Sequence, residues 1–276
     1  MVSPGGGGGG AVGGKGPIGV AVVGAKGNMG QLIVKRLETT EGIEVVGLVD
    51  PQIPDHQKLE NVWHSNSLEA CFKETKPNVA VDFTTAKAVP ENVETYTQHK
   101  IPFVLGTTGW DKDLMDIFYE YASKAGIPAV ISSNMSPPLV LLQTMLEEAA
   151  DKFPGILSEF DLSIEESHQK TKIDVSGTAK KWAEIFQKLG IDNTIIHSYR
   201  EEERGHGYHW YNLIKGAIGR DAVQIGLSTR VDGRETYVDG VVLAIRFLVS
   251  KEVAESEEAI FSMSEVLRWS SAGLLE

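Results

Sequence analysis

The chain has 276 residues, 42% of them hydrophobic, enough for a sizeable core in one large or two small domains. Its 38 acidic against 26 basic side chains leave a formal charge of -12, which repels nucleic-acid backbones and anionic membranes, so neither is expected as a partner. A single cysteine, Cys71, excludes an intramolecular disulfide and a cysteine-based zinc cage, no metal is expected, and no apolar run approaches the ~20 residues of a membrane-spanning helix.

The first 17 residues are glycine-dominated and lack both the apolar centre of a signal peptide and the Arg/Ser-rich pattern of a transit peptide. They are expected to form a disordered tail outside the fold. At Ile18 the text changes to IGVAVVGA, a β-branched apolar run suited to a strand buried on both faces. Met29, Leu32, Ile33 and Leu37 then form one helical stripe, with Gly42 placed to end the helix, and EVVGLVD (44–50) predicts a second strand. Strand, helix, strand predicts a right-handed βαβ unit. The alternation continues through VAVDFTT (79–85), a helix around 88–98, FVLGTT (103–108), a helix from about Asp111 to Lys124, and AVISSN (129–134). Five such strands predict an α/β fold with a Rossmann-type doubly wound parallel sheet.

After SPPLVLLQTMLEEAADKF the period changes: FDLSIEES, TIIHSYR, YHWYNLIK and AVQIGLSTRV alternate apolar with polar residues. This predicts a second α+β domain of mainly antiparallel strands over 135–239, for substrate binding and oligomerisation. Residues 240–276 read as helix and are expected to return to the first lobe, making a dinucleotide-binding domain of 18–134 plus 240–276.

Between the first strand and helix lies Gly24-Ala25-Lys26-Gly27-Asn28-Met29-Gly30. Gly24 permits a tight turn, Gly27 lets a pyrophosphate approach the backbone, and Gly30 lets helix and strand pack closely, while the helix start offers free N–H groups to phosphates. Asp50 ends the second strand, where a carboxylate accepts hydrogen bonds from an adenosine ribose. Asp50 favours NADH and Lys26 is placed to meet the extra phosphate of NADPH, so either cofactor is expected. Ligands of such sheets sit beyond the carboxyl ends of strands, so Gly106, Thr107, Thr108, Ser133, Asn134 and Met135 are expected to border the nicotinamide.

The stretch ESHQKTKIDVSGTA (166–179) sets His168 and Lys172 just before a helix starting at about Thr178, with Ser176 a candidate N-cap and Gly190 a candidate stop. The amides of Gly177 and Thr178 and the Lys172 ammonium are suited to a small dicarboxylate, with His168 placed to move a proton. Three readings follow: a reductase of such a substrate, a dehydrogenase of another small acid, or a non-catalytic dinucleotide sensor. The sensor has no use for His168 and Lys172.

GAKGNMG, FTT (83–85), GTTG (106–109), SSNMS (132–136) and ESHQKTKIDVSGTA, in this order and at these separations, resemble the dihydrodipicolinate reductase family of lysine biosynthesis, from about Ile18 to the C-terminus. The resemblance implies that NADPH or NADH delivers hydride to the ring formed when a hydroxylated substrate loses water. It implies His168 as proton donor or acceptor, Lys172 as proton donor, and Gly177, Thr178 and Thr108 as the grip on a carboxylate. Gln169 stands where the common bacterial form has a second histidine, and implies an amide contact to substrate. That departure and GHGYHWYNL (205–213) resemble the plant and algal branch, which implies the plastid stroma, with the cytoplasm otherwise. His206 and His209 read either as further bases of the site or as core and interface residues. A homo-oligomer, dimer or tetramer, is expected through edges of the second domain.

Overall fold

The computed structural model describes residues 16–54, 56–109, 121–170, 175–201 and 206–273. In chain order the first lobe contains β1 (Ile18–Val23), α1 (Asn28–Leu37), β2 (Ile43–Val49), β3 (Gln57–Leu59), β4 (Val62–Ser65), α2 (Leu68–Thr75), β5 (Val79–Asp82), α3 (Val89–His99), β6 (Phe103–Leu105) and β7 (Ala129–Ile131). Helix α4 (Pro137–Lys152) leads to β8 (Asp161–Gln169), α5 (Gly177–Lys188), β9 (Thr194–Glu201), β10 (His206–Lys215) and β11 (Val223–Asp232). The chain ends in α6 (Glu235–Leu248), α7 (Lys251–Ala254), β12 (Ile260–Phe261) and α8 (Met263–Ala272).

Eight strands form one sheet in the order β12-β7-β6-β5-β1-β2-β4-β3, all neighbours parallel except β3 with β4. Side chains alternate across it as strand geometry requires. Val20 and Val22 of β1 join a core with Ile33 and Leu37 of α1 and Val241 and Ile245 of α6. Ala21 and Val23 face the opposite core, with Phe72 of α2 and Val93 and Tyr96 of α3. Strand β1 lies between β2 and β5, so the chain leaves it to one side and returns on the other. The crevice at that reversal opens at the carboxyl ends of the strands, where α/β sheets bind ligands.

The smaller sheet has the order β11-β10-β8-β9. Strand β10 is antiparallel to both β11 and β8, whereas β8 and β9 run parallel, joined by α5 as crossover. The apolar face of α5 covers this sheet, and Trp182 stacks on Tyr211 of β10 with ring centroids 4.5 Å apart. Val140 of α4 belongs to the core of the large sheet and Ala150 to that of the small one, so one helix ties the two together.

Some elements differ from the sequence-based expectations. The short β3–β4 hairpin was not expected; β3 is exposed, β4 is half-buried, and their mixed polar and apolar residues carry no clear period. The C-terminal region holds a two-residue strand, β12, as well as helices, because Ile260 and Phe261 pair with Ala129 and Val130 at the sheet edge. Helix α1 stops at Leu37, ahead of Gly42, and residues 38–42 form turns before β2. Of the helix expected over 111–124, only 121–124 lie among the described residues, and these are helical.

Gly240, midway along α6, faces the loop after β7 so closely that a β-carbon there would lie 1.7 Å from the Met135 carbonyl oxygen. Gly240→Ala is expected to cost about 1–3 kcal/mol in urea unfolding, the usual range for overpacking. A change below about 0.5 kcal/mol, the range of an ordinary surface substitution, would show that helix and loop separate easily.

Candidate active site

The glycine loop is built by contact distances. Gly24 has φ +80°, and a β-carbon there would meet the Phe83 carbonyl oxygen at 2.6 Å. A β-carbon on Gly30 would lie 2.1 Å from the Gly24 carbonyl oxygen, so α1 starts hard against the loop. No side chain caps α1 at Gly27, which leaves its first amides to the crevice. Asp50, 6% exposed, accepts from the Lys26 amide through Oδ2 and from the Gln52 amide through Oδ1, both at 2.9 Å. Its carboxylate thereby braces the loop while each oxygen keeps a lone pair for a further donor.

A second carboxylate, Asp82 at the end of β5, is fully buried. Its Oδ1 accepts from the Thr84 amide at 3.0 Å, the Thr84 hydroxyl at 2.7 Å and the Thr107 hydroxyl at 3.2 Å. Its Oδ2 accepts from Asn92 at 2.9 Å and Tyr96 at 2.7 Å. Five donors converge on one buried charge, and the loops after β5 and β6 are locked together by it. The Phe83 ring packs over Gly106, where a β-carbon would lie 2.1 Å from it.

Two cavities follow. One, of about 440 Å³, is lined by Gly27, Asn28 and Met29 of the glycine loop and α1, by Phe83, Thr84, Gly106, Thr107, Thr108, Ser133 and Met135 from the strand ends, and by Arg234 and Tyr237. The second, of about 640 Å³, shares Thr107, Thr108 and Ser133 with the first and adds Asn134, His168, Ser176, Gly177, Thr178 and Lys181. The first cavity, with bare glycine backbone and a helix start among its walls at the carboxyl ends of the strands, is suited to a dinucleotide.

The small sheet reaches the second cavity through His168, on its inner face. Successive cross-strand rows on that face run from apolar to charged. Ile164 stands opposite Tyr211, then Glu166 opposite His209 with Thr229 and Ser198 beside them, then His168 opposite Gly207 with Arg200 alongside. Glu166 is fully buried. Its Oε1 accepts from Arg200 at 3.0 Å, and its Oε2 lies 3.0 Å from His168 Nε2 in an ion-pair contact oblique to a hydrogen-bond line. Burial by itself raises the Glu166 pKa, but hydrogen bonds from Ser198 and Arg200, with the nearby charge of His168, outweigh it and hold the carboxyl below its ordinary value of 4.5. A β-carbon on Gly207 would sit 3.2 Å from His168 Cε1, so the glycine makes room for the imidazole. His209 lies beside it, its ring centroid 5.3 Å from that of His168 and its Nε2 3.0 Å from Ser176 Oγ. Glu166, His168 and His209 each offer one metal-type ligand atom within 4.8 Å of the others. Arg200 on Glu166 and Ser176 on His209 supply a hydrogen-bonding account of the cluster without an ion.

Of the residues expected to bind cofactor, Gly27, Asn28, Met29, Gly106, Thr107, Thr108, Ser133 and Met135 line the first cavity. Gly24, Ala25, Lys26 and Asp50 stand behind its loop, and Asn134 lines the second cavity. His168, Gly177, Thr178 and Thr108 meet in the second. Gln169 lines neither, since strand alternation turns it to the opposite face of β8 from His168. Lys172 and the His206 side chain lie outside the described residues. Sequence reasoning missed Arg234 and Tyr237, which enter the first cavity from a distant part of the chain, and Glu166, whose place in ESHQ was its only signal.

Two family models match, described as dihydrodipicolinate reductase, N-terminus, over residues 18–135, and dihydrodipicolinate reductase, C-terminus, over 139–267. The chloroplastic 4-hydroxy-tetrahydrodipicolinate reductase 1 of Arabidopsis thaliana is 33% identical, covering 91% of this chain and 78% of the relative. The 4-hydroxy-tetrahydrodipicolinate reductase of Methanococcus maripaludis is also 33% identical, covering 90% and 98%. The structure of a dipicolinate-bound dihydrodipicolinate reductase from Paenisporosarcina sp. TG-14 superposes with a TM-score of 0.66 at 24% identity, covering 89% and 97%, which shows the shared fold.

Because the Glu166 pKa is lowered on folding, its ionised form adds stability above 4.5 that is lost as pH falls through the lower native value. Glu166→Gln is expected to cost about 1.5–3 kcal/mol near neutral pH, the range for hydrogen bonds to a charged group. The gap between variant and parent in thermal or urea unfolding should close as the solution is acidified below 4.5. A gap that stays constant through that range would refute the assignment.

Proposed function

The chain belongs to the dihydrodipicolinate reductase family, and from that premise we propose which of its residues carry the reaction and how the chain is assembled. It is an NAD(P)H-dependent oxidoreductase that reduces 4-hydroxy-tetrahydrodipicolinate to tetrahydrodipicolinate in lysine biosynthesis by way of diaminopimelate. The observation that carries the site reading is the pair of adjoining cavities: His168 and the α5 start open into the same space as Thr107, Thr108 and Ser133, which also border the cofactor cavity.

The nucleotide lobe, 18–134 with 240–276, holds NADPH or NADH in the first cavity, where the cofactor supplies a hydride. The loop from Gly24 to Gly27 brings its bare backbone up to the phosphates, the amides of Asn28 and Met29 at the start of α1 are placed to receive them, and Asp50 receives the adenosine ribose. The substrate lobe, 135–239, holds a dianion. The amides of Gly177 and Thr178 and the Thr108 hydroxyl grip one carboxylate, supported by the dipole of α5. The 4-hydroxyl leaves as water, reduction of the resulting ring adds a hydride from the cofactor and a proton, and His168, held in register by Glu166, stands beside the substrate space to move that proton. Lys172 is assigned as the second proton source on the match of its motif alone. Gln169 stands outside this set, given its side of the strand.

The outer face of the small sheet supports a homo-oligomer. Ile195 and Tyr199 of β9 and Trp210 of β10, with β8 between them, stand there 53%, 49% and 41% exposed, on a sheet whose other face is covered by α5. An apolar face of this kind is suited to an identical sheet of a second copy. Among the described residues no helix is long and apolar enough to cross a membrane. The chloroplastic plant relatives support the plastid stroma in a plant or algal cell, with the cytoplasm otherwise.

The direct test follows absorbance of NADPH and of NADH with freshly generated 4-hydroxy-tetrahydrodipicolinate, and absence of turnover with both would overturn the reading. Lys172→Ala should lower turnover by about 10²-fold or more, as expected for a lost proton donor, with nucleotide affinity little changed. Equal loss of nucleotide binding would contradict the division of labour between lobes. Trp210→Glu should shift the mass measured by light scattering towards the single chain. An unchanged mass would remove this face as the interface.

A further inference from the structure

We propose that His209 is a positioning residue for the substrate carboxylate: it holds the Ser176 hydroxyl away from the start of α5 and so keeps the helix mouth open to an anion. The proposal rests on the reductase reading above. Ser176 is the N-cap of α5, and a serine there ordinarily turns its Oγ back to accept from the N–H of the second or third helical residue. Here Ser176 makes no such capping bond. Its Oγ lies instead 3.0 Å from His209 Nε2, with Ser176 3% and His209 5% exposed. A preferred capping residue spends its side chain elsewhere, in a bond shielded from water.

The imidazole has little freedom to release it. Its ring lies within 11° of the Tyr211 plane at 6.1 Å, its edge meets His168, and its Nδ1 lies 3.5 Å from the Thr229 hydroxyl. Glu166 stands directly opposite across the β8–β10 pair. These contacts hold the ring with Nε2 on the Ser176 hydroxyl. Gly177 and Thr178 line the substrate cavity, and among the described residues nothing lies within 4 Å of where a β-carbon on Gly177 would be. A serine cap would take the amide of Thr178 or of Ala179; left uncapped, the Thr178 amide stays available to a carboxylate beside that of Gly177. Self-capping and substrate binding compete for the same donors, and His209 decides the competition by geometry.

The consequence is unusual for a buried pair, because removing the serine should mend the damage done by removing the histidine. In His209→Ala, Ser176 is released to cap its own helix. Dipicolinate affinity of the NADPH-loaded chain, measured calorimetrically, should fall about fivefold, the factor an N-cap bond of ordinary strength represents, and KM should rise alike. Adding Ser176→Ala removes the competing hydroxyl and should bring both back towards the parent, with Ser176→Ala alone completing the cycle. His209→Gln, which keeps a donor near the position of Nε2, should stay close to the parent, and His209→Phe, which keeps the stacked ring, replaces the alanine variant should that chain unfold. Unchanged affinity in His209→Ala, or a double variant as weak as the single one, overturns the proposal and leaves His209 a packing residue. A parent chain that binds dipicolinate yet turns over no substrate overturns the reductase reading instead.

Discussion

A carboxylate taken out of water must be met by donors, and two such groups decide where the working loops of this protein stand. Asp82 in the large sheet and Glu166 in the small one are both fully buried. Unpaired, either would cost several kcal/mol or give up its charge. Asp82 is met by the loops it organises: the hydroxyls of Thr84 and Thr107 and the Thr84 amide turn inward to it, which places Thr84 and Thr107 on the cavity wall. Glu166 is met by Arg200 and His168 from its own sheet, which aims the imidazole. Each lobe thus satisfies one buried charge with the residues that form its half of the site.

Strand alternation explains why these groups meet at all. On β8 every second residue faces α5, so Ile164, Glu166 and His168 are committed to one side once Ile164 enters the core. The same step on β10 brings Tyr211, His209 and Gly207 to face them. The row of Ile164 and Tyr211 is apolar and packed by Trp182; the next, Glu166 and His209, is polar and buried, and the last opens to the cavity through His168. A one-residue slip would move the imidazoles to the outer face and the exposed aromatics inward.

This also bears on how much could be read beforehand. The five central strands, the glycine loop and the four strands of the second sheet were legible because burial imposes a period, and glycine is required wherever two backbones approach as closely as Gly30 and Gly24. His168, Gly177 and Thr178 were legible as a cluster because they are near in sequence. Arg234 and Tyr237 were not, since the chain places them in the cofactor cavity only after the whole second lobe has been built. Glu166 was passed over because the apolar period of Leu162 and Ile164 ends at it, so it reads as the solvated end of the strand. The pairing of His209 with Ser176 needs the register of β10 on β8, which no local signal reports.

The charge balance adds a last constraint. A chain of net charge -12 repels a dianionic substrate at long range. That repulsion is screened within about 8 Å at physiological ionic strength, so capture depends on groups inside the cleft. On the cofactor side stands Arg234, and on the substrate side the start of α5 and Lys181, the latter 3.8 Å from Glu147 of the same cavity and so largely neutralised. Helix amides suit this role better than more lysines would, because they are fixed in direction and carry no counter-charge to be desolvated. They are useful only while left open, and a serine at the N-cap tends to close them. An acidic protein that binds a dianion through a helix start therefore needs something to restrain that serine, and His209 is the group the fold puts there.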